Sequence, residues 1–262
     1  MKSMKTFFTA VVLSLGVNLV WGFTDRSVNA ESAATAPEEL TEIISEVEEA
    51  ANNKDLEKVM EYYSEDFTNN DGLTRASVNS ALSQMWKAYP RIRYATEIAS
   101  WEQDGDRLVA ETITKIRGIQ NNQGRIVRFN SVLRSRQYFQ DEKLVRQDII
   151  SEKTRLTSGD NPPKVKVSVP ETVGLGEKYN FDVIVTEPLE DRVLLGAVKE
   201  ERISSDLYVN PTALELEQLP AGGIYSKVTA PLLADRNWLS AILVRGDGIT
   251  MVTSRVTVEE QK

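Results

Sequence analysis

The sequence has no cysteine and no histidine. Without cysteine there are no disulfides, no thiolate nucleophile and no cysteine-bound zinc; without histidine there is no histidine-dependent triad. A metal would need oxygen ligands alone, and no EF-hand loop, P-loop or GxGxxG run is present to cradle a metal or a phosphate. No metal and no cofactor is therefore expected. Positive charge is also short: 31 Lys and Arg stand against 39 Asp and Glu, for a net charge of -8. That balance argues against a global grip on nucleic acid, which needs clustered cations. Apolar residues are not short. At 41% hydrophobic and 27% charged, the chain can bury a core and is too apolar for disorder.

Long apolar runs are scarce. The one from Phe7 to Phe23 is interrupted by Ser14, Gly16 and Asn18, and is marginal for a membrane span of about 20 residues. Lys2 and Lys5 precede it and Val28-Asn29-Ala30 follows it, which is the pattern of a cleaved secretory signal over residues 1–30. An uncleaved anchor is the alternative. Cleavage would leave no stable membrane span and an exported protein, periplasmic or secreted.

Beyond the signal, Pro37-Glu-Glu-Leu opens a helix with Leu40, Ile43, Ile44, Val47 and Ala51 on one face. Asn52-Asn-Lys54 breaks it. Asp55 caps a second helix whose stripe is Leu56, Val59, Met60 and Tyr63, and Ser64–Gly72 reads as a loop rich in turn formers. Thr74 is the expected N-cap of a third helix, Arg75 to Ala88, stopped by Pro90. Residues 91–155 then alternate as four long strands with turns near 103–106, 120–124 and 140–142. Three helices followed by a meander of strands is an α+β pattern.

The segment Asn52-Asn-Lys-Asp-Leu-Glu-Lys-Val-Met-Glu-Tyr-Tyr-Ser-Glu-Asp-Phe-Thr-Asn-Asn-Asp-Gly72, with Trp101-Glu-Gln-Asp-Gly-Asp-Arg-Leu-Val-Ala-Glu111, resembles the NTF2-like, or SnoaL-like, superfamily. The resemblance covers about residues 38–155. It implies a cone of three helices wrapped by a curved antiparallel sheet, enclosing a pocket, over an N-terminal domain of residues 31–155. In isomerase-like members of that superfamily an aspartate after helix 2 is the general base, and that position falls on Asp71. The isomerase's oxyanion tyrosine falls on Val47, so a hydrogen-bond donor would have to come from Tyr63, Tyr94 or Tyr138. The other reading of Asp71 is a turn residue in Asn-Asp-Gly. Tyr63, Trp86, Tyr94, Trp101 and Tyr138 are the expected pocket or core aromatics.

Arg128, Arg134 and Arg136 share parity in one strand, together with Tyr138, and so share one face. They form either a solvated outer face paired with Glu97, Glu111 or Glu152, or a cationic face for an acidic ligand or partner. Leu156–Pro163 reads as a linker. From Lys164 to Lys262, seven or eight short alternating strands suggest a second domain, an immunoglobulin-like β-sandwich. Three functions stand open. The first is an exported non-enzymatic module binding a small apolar ligand or a protein partner. The second is an isomerase- or hydrolase-like enzyme with Asp71 as base. The third is an envelope assembly protein that dimerises through the NTF2-like sheet.

Overall fold

A computed structural model describes residues 31–260 apart from 123, 190, 191, 209, 211 and 221. The signal expected over residues 1–30 lies outside the described residues. A short β1 (Glu31–Ser32) and a 3-10 turn (Ala33–Thr35) lead into α1 (Glu38–Asn53), α2 (Leu56–Glu61), β2 (Tyr63–Asn69) and α3 (Arg75–Ala88). The long strands follow: β3 (Arg91–Asp104), β4 (Arg107–Asn122), β5 (Arg125–Gln140) and β6 (Lys143–Gly159). The C-terminal half adds β7 (Val165–Ser168), β8 (Thr172–Gly174), β9 (Lys178–Val185), β10 (Leu195–Arg202), a 3-10 helix (Ser205–Tyr208), β11 (Glu217–Gln218), β12 (Gly223–Thr229), β13 (Asp235–Arg245) and β14 (Gly248–Glu259). None of the described helices is long and apolar enough to cross a membrane.

Local chemistry sets the helices. Glu38 and Glu39 occupy the first turn of α1, where the helix dipole favours negative charge, and Lys54 ends it in the left-handed conformation at φ 58°. The Asp55 side chain caps α2 by accepting from the Lys58 backbone N–H at 3.0 Å. Thr74 and Ser77 form a reciprocal capping box at the start of α3.

The principal sheet runs in the order β1-β3-β4-β5-β6-β14-β13-β10-β11, with β2 added in parallel to β6 and β8 in parallel to β14. Its two faces bury two cores. On one face Ile92, Phe129 and Leu156 share a cross-strand row beneath the helices, and the row continues through Met251 to Ile242. Gly118 takes the remaining place in that row because the Tyr89 ring lies 3.0 Å from where a Cβ would sit. On the other face, Val252, Leu239, Ala241, Leu243, Val256 and Val258 pack against Phe181, Val183, Tyr179 and Ile224 of a separate three-stranded sheet, β12-β9-β7.

Three expectations change. Ser64–Asn69 is strand rather than loop, because Tyr63, Thr68 and Asn69 pair with Leu144, Arg146 and Gln147 of β6. The first residues of the expected linker, 156–159, are the end of β6, paired with β5 on one side and with β14 on the other. The C-terminal strands therefore continue the principal sheet rather than standing apart from it. Within the span from Lys164 to Lys262, read as alternating strands, Ser205–Tyr208 instead forms a 3-10 helix.

Gly159 makes the crossing between layers. It opposes Gly248 at φ 98°, and an added Cβ would lie 2.5 Å from the Asp247 carbonyl oxygen. Gly159→Ala is expected to cost more than about 2 kcal/mol, since a strained φ and a backbone clash add. Urea denaturation checks it; an unchanged midpoint would show that the crossing relaxes freely.

Candidate functional site

The three helices α1, α2 and α3 and the sheet bound a cavity of about 100 Å³. Its apolar wall includes Ile44, Val47, Ala51, Val59, Leu82 and Leu133. Its polar groups are Tyr62, Tyr63, Tyr94, Thr96, Thr114, Gln137, Gln147 and Glu48. Burial pushes the Tyr63 phenol up to about 12 and raises that of Tyr94 as well, so both stay protonated and can donate. The Tyr94 oxygen accepts from Trp86 Nε1 at 2.9 Å, which leaves its own proton free. A Glu48 oxygen is engaged by the Thr96 backbone N–H at 2.6 Å.

Of the five aromatics expected at the pocket, Tyr63 and Tyr94 line it. Trp86 stands behind Tyr94 in the core, and Trp101 donates from its indole to Thr35 Oγ1 at 3.1 Å. Tyr138 faces away, between the guanidinium groups of Arg136 and Arg146 at 5.9 and 5.4 Å from its ring centre. Its parity with the arginines put it there. The arginines themselves part company. Arg134 pairs with Glu111 and Arg136 with Glu102, while Arg128 is exposed with no ion pair among the described residues. Glu97 is held by Lys115.

Asp71 does not line the cavity. The turn that carries it is fixed by its neighbours. Asn69 Oδ1 accepts from the Asp71 N–H at 2.7 Å, and Asn70 is clamped to both backbone groups of Ile149 at 2.9 and 3.0 Å. The side chain that results points under the C-terminal half. Arg255 of β14 donates to both Asp71 oxygens, at 2.8 and 2.6 Å, and the Tyr208 hydroxyl donates at 2.5 Å. Arg236 lies 3.6 Å away at the edge and donates to the Asn70 carbonyl. The same Arg255 reaches Glu152 Oε2 at 3.0 Å, and the Trp238 indole donates to that oxygen at 2.9 Å. The side chains of Asp71, Glu152 and Arg255 have no exposed surface.

The two carboxyls are driven apart. Burial would raise that of Asp71, but the hydrogen bonds and charge of Arg255, with Tyr208 and Arg236, hold it below the ordinary value. Burial pushes Glu152 up to about 7; Arg255 and Trp238 pull against this, and the Asp71 charge adds to it. Glu152 Oε1 has no hydrogen-bond partner among the described residues. Burial, then the neighbouring carboxylates, raises the Tyr208 phenol well above its usual range. A carboxylate with both oxygens taken and no solvent path is a fixed anion, and it is poorly placed to abstract a substrate proton. Arg255, Glu152, Tyr208 and Trp238 carry no local motif. The one signal was an arginine in the middle of a strand whose other residues, apart from the terminal Glu259, are apolar or hydroxyl-bearing. No cluster of acidic residues among the described residues could hold a metal.

A family model described as "Domain of unknown function (DUF8623)" matches residues 160–259. No curated protein matches the chain. Solved structures of NTF2-like, SnoaL-like and cystatin-like proteins align with about two fifths of it. Bd1075 from Bdellovibrio bacteriovorus is 18% identical over 43% of this chain and 39% of its own, with a TM-score of 0.32, so the chain spans well under half of that protein. A LEH-like epoxide hydrolase from M. tuberculosis is 16% identical over 43% of this chain and 84% of its own, with a TM-score of 0.32. An NTF2-like protein of unknown function from Cytophaga hutchinsonii is 10% identical over 42% of this chain and 86% of its own, with a TM-score of 0.25. At such scores these likenesses carry no argument about the chemistry of the cavity.

Proposed function

We propose that this is an exported, non-enzymatic binding protein whose cone holds a small, largely apolar ligand, with the C-terminal strands as a rigid sandwich-like support. The observation that carries the proposal is the separation of the cavity from Asp71. The cavity offers apolar walls and phenol donors, while the best candidate base is spent in a buried ion pair elsewhere. An apolar cavity of about 150 Å³ holds benzene, so a space of about 100 Å³ suits something smaller, such as a short-chain ketone or alcohol. Tyr63 and Tyr94 favour a neutral ligand with an acceptor oxygen.

Saturation-transfer NMR with butanone, isopropanol and tert-butanol tests this. Binding is expected in the wild type and lost in Ala51→Leu, which fills the cavity. Tyr63→Phe keeps the volume and is expected to weaken the ketone about 3- to 10-fold, the worth of one hydrogen bond. Absence of binding, or equal binding in all three proteins, overturns the proposal. So does saturable turnover that disappears in Asp71→Asn.

A further inference from the structure

The face of the principal sheet turned away from the cavity carries an arginine field in an acidic protein. Two adjacent cross-strand rows hold it. One runs Arg91, Ile119, Arg128, Thr157; the next runs Arg93, Arg117, Asn130, Arg155. All five arginines are exposed, and neither row contains a carboxylate. Arg93 and Arg117 are direct cross-strand partners, an arrangement of like charges that costs stability. Further along the same strands the cations are neutralised, as in Lys115–Glu97, Arg134–Glu111, Arg136–Glu102 and Arg146–Asp148. Arg91, Arg117, Arg128 and Arg155 form no ion pair with any described residue. An uncompensated patch of this kind, on a chain of net charge -8, raises the local concentration of anionic partners.

Beside the field lies a groove of about 440 Å³, with Val132, Val167, Val169 and Val252 as apolar lining and Asn130 and Arg155 at its polar side. One wall is β7, the edge strand of the three-stranded sheet. Just before β7 the Lys164 carbonyl turns inward to Thr186, whereas in β7 the Val165 carbonyl turns outward and accepts from Arg155 at 3.2 Å. By the alternation of an antiparallel ladder, the backbone groups of Val167 also face the open edge.

We infer that this corner docks an extended acidic segment of a partner polypeptide, added as a strand along β7 with its carboxylates on Arg117, Arg128 and Arg155. An open edge recognises peptide backbone, and every second side chain of the added strand faces the sheet, where Val132 and Val252 form the apolar floor and Arg117, Arg128 and Arg155 supply the charge preference. A recessed groove bounded by a strand edge suits a chain better than a flat lipid surface. A two-fold pairing of this face with a second copy would set arginine against arginine, which disfavours the dimer expected through it.

Fluorescence anisotropy with a labelled peptide of alternating Glu and Val tests the inference, with the Lys-Val peptide as control. The acidic peptide is expected to bind and the basic one not. The double variant Arg117→Glu/Arg128→Glu, whose side chains are exposed, is expected to weaken binding at least tenfold at a thermal midpoint no lower than that of the wild type, since it also relieves the Arg93–Arg117 repulsion. N-methylation of alternate peptide nitrogens leaves every charge in place and is expected to cost at least tenfold as well. Failure of the acidic peptide to bind overturns the inference. Equal binding of the N-methylated peptide overturns it too, as does tighter binding of dextran sulfate or phosphatidylglycerol vesicles than of the peptide, since each would mean a generic anion surface.

Discussion

Asp71→Asn is expected to lower the stability of the protein by about 3–5 kcal/mol, the usual cost of removing one partner from a buried ion pair. The wild-type carboxylate accepts three hydrogen bonds, two from Arg255 and one from Tyr208. The amide keeps one acceptor and turns an N–H₂ toward donors, so at least one of those groups loses its partner in a site with no water access. Arg255→Met should cost as much or more, because it strands Asp71 and Glu152 together with only the half-exposed Arg236 nearby. The double variant Asp71→Leu/Arg255→Met removes both charges. It should be less damaging than the sum of its parts, with a coupling of about 1–3 kcal/mol. Urea denaturation of the four proteins at pH 7 measures this cycle. A loss below about 1 kcal/mol in Asp71→Asn would mean that the ion pair does not hold the two halves together. The same variant should leave ligand binding in the cone intact, because Asp71 does not line the cavity.

Asp71 also shows where local pattern stops informing. Its turn was legible: Asn-Asn-Asp-Gly is turn chemistry, and Asp55 and Thr74 capped their helices as their side chains require. The four long strands were legible because each alternates over more than a dozen residues. What could not be seen was pairing across distance. Arg255 lies 184 positions from Asp71, and Glu152 sits one strand over from Arg255 only because β14 zips onto the end of β6. Thr157 and Ser158 look like linker in isolation; as strand residues they extend the sheet into the C-terminal half. The arginines failed for the same reason. Parity put Arg128, Arg134 and Arg136 on one face, but register decided which of them met a glutamate. The uncompensated field formed instead around Arg128, with Arg91, Arg93 and Arg117 from the neighbouring strands.

Between pH 4.5 and pH 8 the protein is expected to lose about 3 kcal/mol of stability through Glu152 alone. The sign follows from proton counts. The folded-state carboxyl titrates near 7, against 4.5 ordinarily, so within that window the folded chain holds a proton that the unfolded chain has already released. Stability from this group is fully present below 4.5 and is lost as pH rises through 7. Asp71 acts in the opposite direction at lower pH: its carboxyl is held below 3.8, so its contribution is present above that value and is lost in acid. Together the two groups place their best compromise near pH 4–5. Glu152→Gln mimics the protonated carboxyl in size and charge. It should match the wild type near pH 4.5 and exceed it near pH 8, with the difference opening through 7. Urea midpoints for both proteins across that range decide the matter, and parallel curves would sink the assignment. In Asp71→Asn the slope should flatten as well, because removing the Asp71 charge leaves Arg255 to stabilise an ionised Glu152. A buried arginine shared between two carboxyls ties the stability of the whole junction to a single proton.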